Sequence, residues 1–297
     1  MTHEERTPLH ARSLPGVVSE EAPTWRGMPM RGLYFLESRL AEGARPDTGR
    51  GPAVLLPGSW DPHQGEYSNA VLRSLLEEAG APSVFEAHYR FEGQDGRFEP
   101  DAVVADLVDI FLDAASPPTV VGLCLASPFV LEALLAACER DPAPPVAGVL
   151  VIGNGVPGHL NRLGRMTFRN YTNKTIAAIS KRFSYAGHNF TSDNIVRGEQ
   201  WLRESRLTAA LARAEKDGPI TPFPVPVESL YFRFDISTRE VRALTRRVFG
   251  IERAAPLIPG YHRSLRRPSP ADETILAFYE STQAAARAEA PGATGED

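Results

Sequence analysis

Residues 117–140 read PPTVVGLCLASPFVLEALLAACER. The stretch opens as an apolar run rich in β-branched residues, which predicts a buried strand ending near Leu123. From Ser127 the apolar positions recur at helical spacing, so the same stretch closes as an amphipathic helix. Between them lies Gly122-Leu123-Cys124-Leu125-Ala126, which leaves no room for a loop. The strand must turn into the helix at Cys124. Gly122 and Ala126 are small, as a bend this tight requires of the residues two before and two after its apex. Pro128 suits the first helical turn, where its missing N–H costs nothing.

Strand-like and helix-like segments alternate on both sides of this unit. GLYFLESRL (32–40), GPAVLLPGSW (51–60), PSVFEAHYR (82–90) and VAGVLVIGNG (146–155) read as strands. NAVLRSLLEEAG (69–80) and PDAVVADLVDIFLDAA (100–115) read as helices, the first capped by Gly80 and the second opened by Asp101. Residues 155–220 lack strand runs and are helical and irregular in texture. VPVESLYFRFDIST (225–238) returns to strand character, ERAAPLIPGYHRS (252–264) holds a last strand and turn, and PADETILAFYESTQAAARA (270–288) is a last helix. The alternation predicts an α/β fold with a mostly parallel central sheet flanked by helices. The expected organisation is a loose N-terminal arm over 1–28, a core made of 29–154 and 221–297, and an inserted helical cap over 155–220.

With 297 residues and 42% hydrophobic composition, the chain can bury one large α/β core. A net charge of −5 argues against nucleic acid as a partner. The first residues, MTHEERTPLHARSLPG, carry no apolar signal segment, and no apolar run is long enough for a membrane span. The only cysteines, Cys124 and Cys138, lie along one bend-and-helix unit that holds them too far apart to pair. A reducing, cytoplasmic setting is expected.

A thiol at the apex of a strand-to-helix bend is placed as a nucleophile. The N-terminus of the following helix favours the thiolate, which is the reactive form. Cys138 sits among Leu131, Leu134 and Leu135 at helical spacing and reads as core.

Here the chain resembles the α/β-hydrolase fold over about residues 30–285. LLPGSWDPHQGEYSNAVLRSLLEEAG (55–80) is similar to the pattern HG…H…RY…LA..L...G of the monoacylglycerol-lipase and serine-aminopeptidase-like branch. That branch carries Gly-x-Ser-x-Gly, whereas Cys124 stands here in place of the serine and Ala126 in place of the second glycine. Dienelactone hydrolases and polyhydroxyalkanoate synthases, of the same fold, use cysteine at this bend. The resemblance implies a base and an acid in the chain order nucleophile, acid, histidine. LIPGYHRSLRRPSP resembles the catalytic-histidine loop and points to His262, while SLYFRFDIST ends a strand with Asp235 as the acid, Glu240 being the weaker substitute. Backbone N–H groups of Leu125 and of Ser59 or Trp60 would form the oxyanion hole. Neither a cofactor nor a metal is implied.

These expectations define a Cys-His-Asp acyl hydrolase acting on a small ester, thioester or lactone. The alternatives are an acyltransferase or cyclase with the same triad, and a non-catalytic binding protein on the scaffold. Residues 155–220 hold 11 Lys and Arg against 5 Asp and Glu. Their +6, set against −5 for the whole chain, leaves −11 on the remainder. Such a block could attract an anionic carrier of the acyl group, coenzyme A or an acyl carrier protein.

Overall fold

A computed structural model describes residues 24–39, 50–56, 58, 66–90, 99–113, 115–153, 156, 192–217, 223–233, 239–251, 257–258 and 269–289. Its main sheet has six strands: β3 (Leu33–Arg39), β4 (Ala53–Leu56), β5 (Ser83–Tyr89), β6 (Thr119–Leu123), β7 (Gly148–Ile152) and β8 (Val227–Leu230). They lie in the order β3-β5-β4-β6-β7-β8, with β3 antiparallel to β5 and every other pair parallel. The central strands are short apolar runs, AVLL, TVVGL and GVLVI, buried at every position. That is what a parallel strand covered on both faces requires.

Helices close the two faces. On one side α1 (Glu66–Glu78) and α7 (Pro270–Glu289) pack Leu72, Leu75, Ile275 and Tyr279 against Ala53, Leu55 and Val121. On the other, α2 (Pro100–Phe111), α3 (Ser127–Arg140), α5 (Arg206–Asp217) and α6 (Arg239–Val248) bury Leu107, Phe129, Leu211 and Val241 with Val54 and Val120. The helix α4 (Ser192–Arg203) precedes α5. Thus α5, from the end of the segment expected as a cap, shares the apolar core of α2 and α3. Gln283 and Tyr279 of α7 bind the start of β4: Gly51 N–H donates to Gln283 Oε1 at 2.6 Å, and the Tyr279 hydroxyl donates to the Gly51 carbonyl at 2.7 Å. This locks the amino ends of the strands and leaves the carboxyl ends for other work.

Of the arm expected over 1–28, residues 24–28 fall within the described residues, and Trp25 among them is buried. β1 (Thr24–Trp25) and β2 (Met28–Pro29) form a hairpin, and buried Trp25 donates its indole N–H to Asp113 at 2.9 Å. Beside β8 the chain returns through one parallel bridge, Phe232 with Ile258. Ile258 N–H donates to the Tyr231 carbonyl at 2.9 Å, and Arg233 N–H donates to the Ile258 carbonyl at 2.8 Å. Of the strand expected in 252–264, this bridge is the part that falls within the described residues.

Candidate active site

Chain order and sheet order part company between β4 and β6. From β4 the chain moves to β5 on one side and then crosses back to β6 on the other. In open parallel sheets a crevice forms beyond the carboxyl ends of the strands at such a switch point. The pairs Leu56 with Gly122, Leu123 with Ile152, and Ile152 with Leu230 bring those ends to one edge. Cys124 is the first residue past β6 at that edge, and Gly58 lies past β4 beside it.

Cys124 has φ +53°, in the left-handed region. The other non-glycine residue with positive φ among those described, Arg26, sits with Gly27 in the turn of the β1–β2 hairpin, where positive φ is the rule. Cys124 has no such local reason. Leu123 is still extended, at φ −105° and ψ 133°, and Ala126 is already helical, at φ −75° and ψ −29°. The reversal therefore falls on a residue for which it costs on the order of 1–2 kcal/mol, and strain of this kind collects at functional positions. The thiol residue is 9% exposed.

The neighbours show why the flanking residues are small. A Cβ on Gly122 would lie 2.9 Å from Val130 Cγ2 and 3.1 Å from Ser127 Cα, so α3 could not approach the strand end. A Cβ on Gly58 would lie 3.0 Å from the Cβ of Cys124. Ala126 is fully buried.

Ser127, which the sequence gives no reason to single out, holds the bend from inside. It is 0% exposed, and its hydroxyl donates to the Gly122 carbonyl at 2.9 Å, with the Ile152 carbonyl at 3.4 Å. One hydroxyl thus ties the start of α3 to the ends of β6 and β7. Ser127→Ala is expected to cost about 1 kcal/mol of stability. Urea unfolding of the variant checks this; an unchanged unfolding midpoint would show that the hydroxyl does not hold the bend.

Two other groups belong to the strand ends at this edge. Tyr89 ends β5, on the far side of β4, and is buried. Burial raises its phenol well above the usual range, and the charge of Cys124 raises it further. The hydroxyl therefore stays protonated and can donate a hydrogen bond. Leu125 N–H, expected in the oxyanion hole, donates to the Gly58 carbonyl at 3.3 Å. This bond continues the β4–β6 ladder that starts with Thr119 N–H on the Pro52 carbonyl at 2.9 Å.

The expected partners Asp235 and His262 lie outside the described residues, as do Ser59 and Trp60 and most of the block 155–220. So does the side chain of Glu240. Arg233 and Ile258, joined by the bond from the Arg233 N–H to the Ile258 carbonyl, are the last described residues before Asp235 and before His262.

Of the expected cap, α4 and α5 are described. Trp201 of α4 stacks on Phe129 of α3, with ring centroids 5.0 Å apart and planes 29° apart, and donates its indole N–H to Asp101 Oδ1 at 2.6 Å. Asp101, read from sequence as an acid at a helix start, thus also anchors α4 to the start of α2. Buried Glu132 of α3 accepts the Leu207 N–H at 2.7 Å and Arg206 Nη1 at 3.0 Å, capping α5 from the core. Arg197, Arg203 and Arg206 each pair with carboxylates: Glu99, Glu199, and the two acids Glu132 and Glu139. The basic excess of the block is met, at these three positions, by the protein's own acids.

Both cysteines are free thiols. Burial, with Asp141 close by, pushes the Cys138 thiol up to about 11. Among the described residues no group of three or more His, Cys, Asp or Glu is placed to hold a metal, and no helix is long and apolar enough to cross a membrane.

No protein-family model matches the sequence, and no curated protein matches it. Solved structures do. A variant of the esterase rPPE is similar at a TM-score of 0.51 and 13% identity, over 85% of this chain and 83% of that one. A hormone-sensitive lipase from a metagenome library is similar at a TM-score of 0.50 and 16% identity, over 86% of this chain and 87% of that one. A monoacylglycerol lipase from Paleococcus ferrophilus reaches a TM-score of 0.48 at 16% identity, over 86% of this chain and 99% of that one. Strand order and these likenesses agree: the chain has the α/β-hydrolase fold.

Proposed function

We propose that this chain is an acyl-transfer enzyme whose nucleophile is Cys124, working as a hydrolase of a small ester, thioester or lactone. The reading rests on one observation: a cysteine held at positive φ where a buried strand becomes a helix, at the switch point of the sheet. The esterase and lipases that share the fold cleave acyl bonds, which agrees with this reading. In the proposed mechanism His262, oriented by Asp235, takes the thiol proton. The thiolate attacks the acyl carbonyl, a carbon–sulfur bond forms, and the carbonyl π pair moves onto oxygen. Backbone N–H groups of Leu125 and of Ser59 or Trp60 hold that oxyanion. The intermediate collapses, the leaving group departs with the proton from His262, and a thioester remains on Cys124. Water, deprotonated by His262, then attacks the thioester and releases the acid. Residues of the block 155–220 would shape the acyl pocket, and a coenzyme A or carrier-protein thioester would be one source of the acyl group.

Intact mass spectrometry after exposure to a panel of activated esters, lactones and thioesters tests this. The wild type should gain one acyl mass that Cys124→Ala does not. Cys138 does not confuse the reading, because a thiol titrating at about 11 stays protonated near neutral pH. Equal labelling of both chains would remove Cys124 from the chemistry. A product carrying a second molecule instead of water would make the enzyme an acyltransferase. Turnover that needs a carrier-linked substrate and weakens with salt would support an anionic carrier.

A further inference from the structure

The arginines described in the expected cap spend their charge on the protein's own acids, but Arg242 does not. It lies in the first turn of α6, and its guanidinium carbon stands 5.8 Å from the ring centroid of Tyr231. Among the described residues no carboxylate pairs with it. We propose that Arg242 binds an anionic group of the acyl substrate, a carboxylate or a phosphate, at the same edge of the sheet as Cys124. This inference rests on the reading of Cys124 as the nucleophile and names a substrate class for it.

Position is the first support. Leu123 pairs with Ile152 and Ile152 with Leu230, so Cys124, Gly153 and Tyr231 each stand one residue past that row. Gly153 N–H still donates to the Leu230 carbonyl at 2.8 Å. Two strand spacings, about 10 Å, therefore separate the backbones of Cys124 and Tyr231. The far end of an acyl substrate spans such a gap while its carbonyl sits on the thiol. Preorganisation is the second support. Tyr231 is 3% exposed, so its ring is fixed, while Arg242 is half-buried and keeps a way to solvent. A ring face attracts the cation but offers its N–H groups no lone pair. The guanidinium fork is left for a carboxylate or phosphate, whose oxygens it fits in pairs. A side chain already held against a ring also loses less freedom on binding. The surroundings are the third support. Arg233, exposed and two residues past Tyr231, adds a second cation at this edge. Arginines that hold the fold are engaged otherwise: Arg206 with Glu132 and Glu139, and Arg246 with the Ile251 carbonyl at 3.3 Å.

The test is steady-state kinetics of the full chain with two matched substrate pairs. One pair sets p-nitrophenyl octanoate against the mono-p-nitrophenyl ester of suberate, which puts the anion on the acyl chain. The other sets octanoyl-pantetheine against octanoyl-phosphopantetheine, which puts it on the leaving group. In one pair or both, the wild type should prefer the anionic member by about tenfold or more in kcat/KM, mostly through KM. The pair that shows the preference identifies whether the anion belongs to the acyl group or to its carrier. Arg242→Met, which keeps an apolar stem on the ring, should bring that ratio to about one. Arg242→Lys, which keeps the charge and loses the fork, should retain part of it. The ratio cancels any general loss of activity, and thermal melts verify that each variant is folded. Should Arg242→Met misfold, Arg242→Gln gives the same reading. Equal turnover of both members of each pair by the wild type would overturn the anion site and leave the nucleophile standing. A full preference surviving in a folded Arg242→Met or Arg242→Gln chain would overturn it as well. No turnover of any of these substrates, with no acyl mass on Cys124, would overturn both the anion site and the nucleophile.

Discussion

Cys124→Ala is expected to lower kcat/KM toward an activated acyl substrate by about 10^4-fold or more, the loss seen when a nucleophile is removed from a triad. The fold should survive it. The side chain is small, and its truncation costs about 1 kcal/mol at a position where the backbone already carries strain. Two companion variants sharpen the result. Cys138→Ala should leave turnover within about twofold, since that thiol sits on the flank of α3 away from the bend and titrates at about 11. If the proposed triad holds, His262→Ala should lower kcat/KM about as much as Cys124→Ala, because members of a triad act as a unit and their losses do not add. Steady-state kinetics with thermal melts of each variant provide the check. Full activity in a well-folded Cys124→Ala chain would remove the proposed mechanism entirely.

Asp106→Ala should give the largest loss of stability, about 3–5 kcal/mol. Asp106 is 3% exposed and faces the start of β3 from α2. Its Oδ2 accepts N–H bonds from Arg31 at 3.1 Å, Gly32 at 2.7 Å and Leu33 at 2.8 Å, and Oδ1 accepts Arg31 again at 3.0 Å. Burial pushes the carboxyl above the usual range, the three N–H groups pull it back down, and Asp109 nearby pushes it up. Removing the carboxylate leaves three backbone donors without their acceptor, and a buried orphan donor costs about 1–3 kcal/mol. Asp106→Asn keeps one acceptor oxygen but aims an amide N–H₂ at a backbone N–H, so it should recover only part of the loss. Urea unfolding of the three chains measures this. A loss under about 1 kcal/mol for the alanine variant would mean that β3 is held by its pairing with β5 alone.

These cases divide what the chain makes legible from what it hides. The strand ending at Leu123 and the helix from Ser127 were readable because burial and period are properties of near neighbours. The same holds for the small residues at Gly122 and Ala126, whose reason is the tightness of a local bend. Asp106 looked like one more polar residue on an amphipathic helix. Its partners lie far back along the chain, and no pattern within α2 names them. Trp201 and Phe129 likewise sat in separate helices with no signal that they stack. The packed hairpin at Trp25 was hidden for a related reason: two-residue strands are too short to show a period.

The sequence alone determined that a thiol stands at a strand-to-helix bend, and that alternating apolar strands and helices surround it. Tertiary structure alone decided what meets that thiol. The sheet order places β4 beside β6, and the register of that pair sets Gly58 against Cys124 and its carbonyl on the Leu125 N–H. The reason is physical. Bond angles and side-chain bulk within a few residues choose the bend, but a hydrogen bond between strands depends on how distant segments align when the sheet forms. That alignment is selected by burial of the whole core.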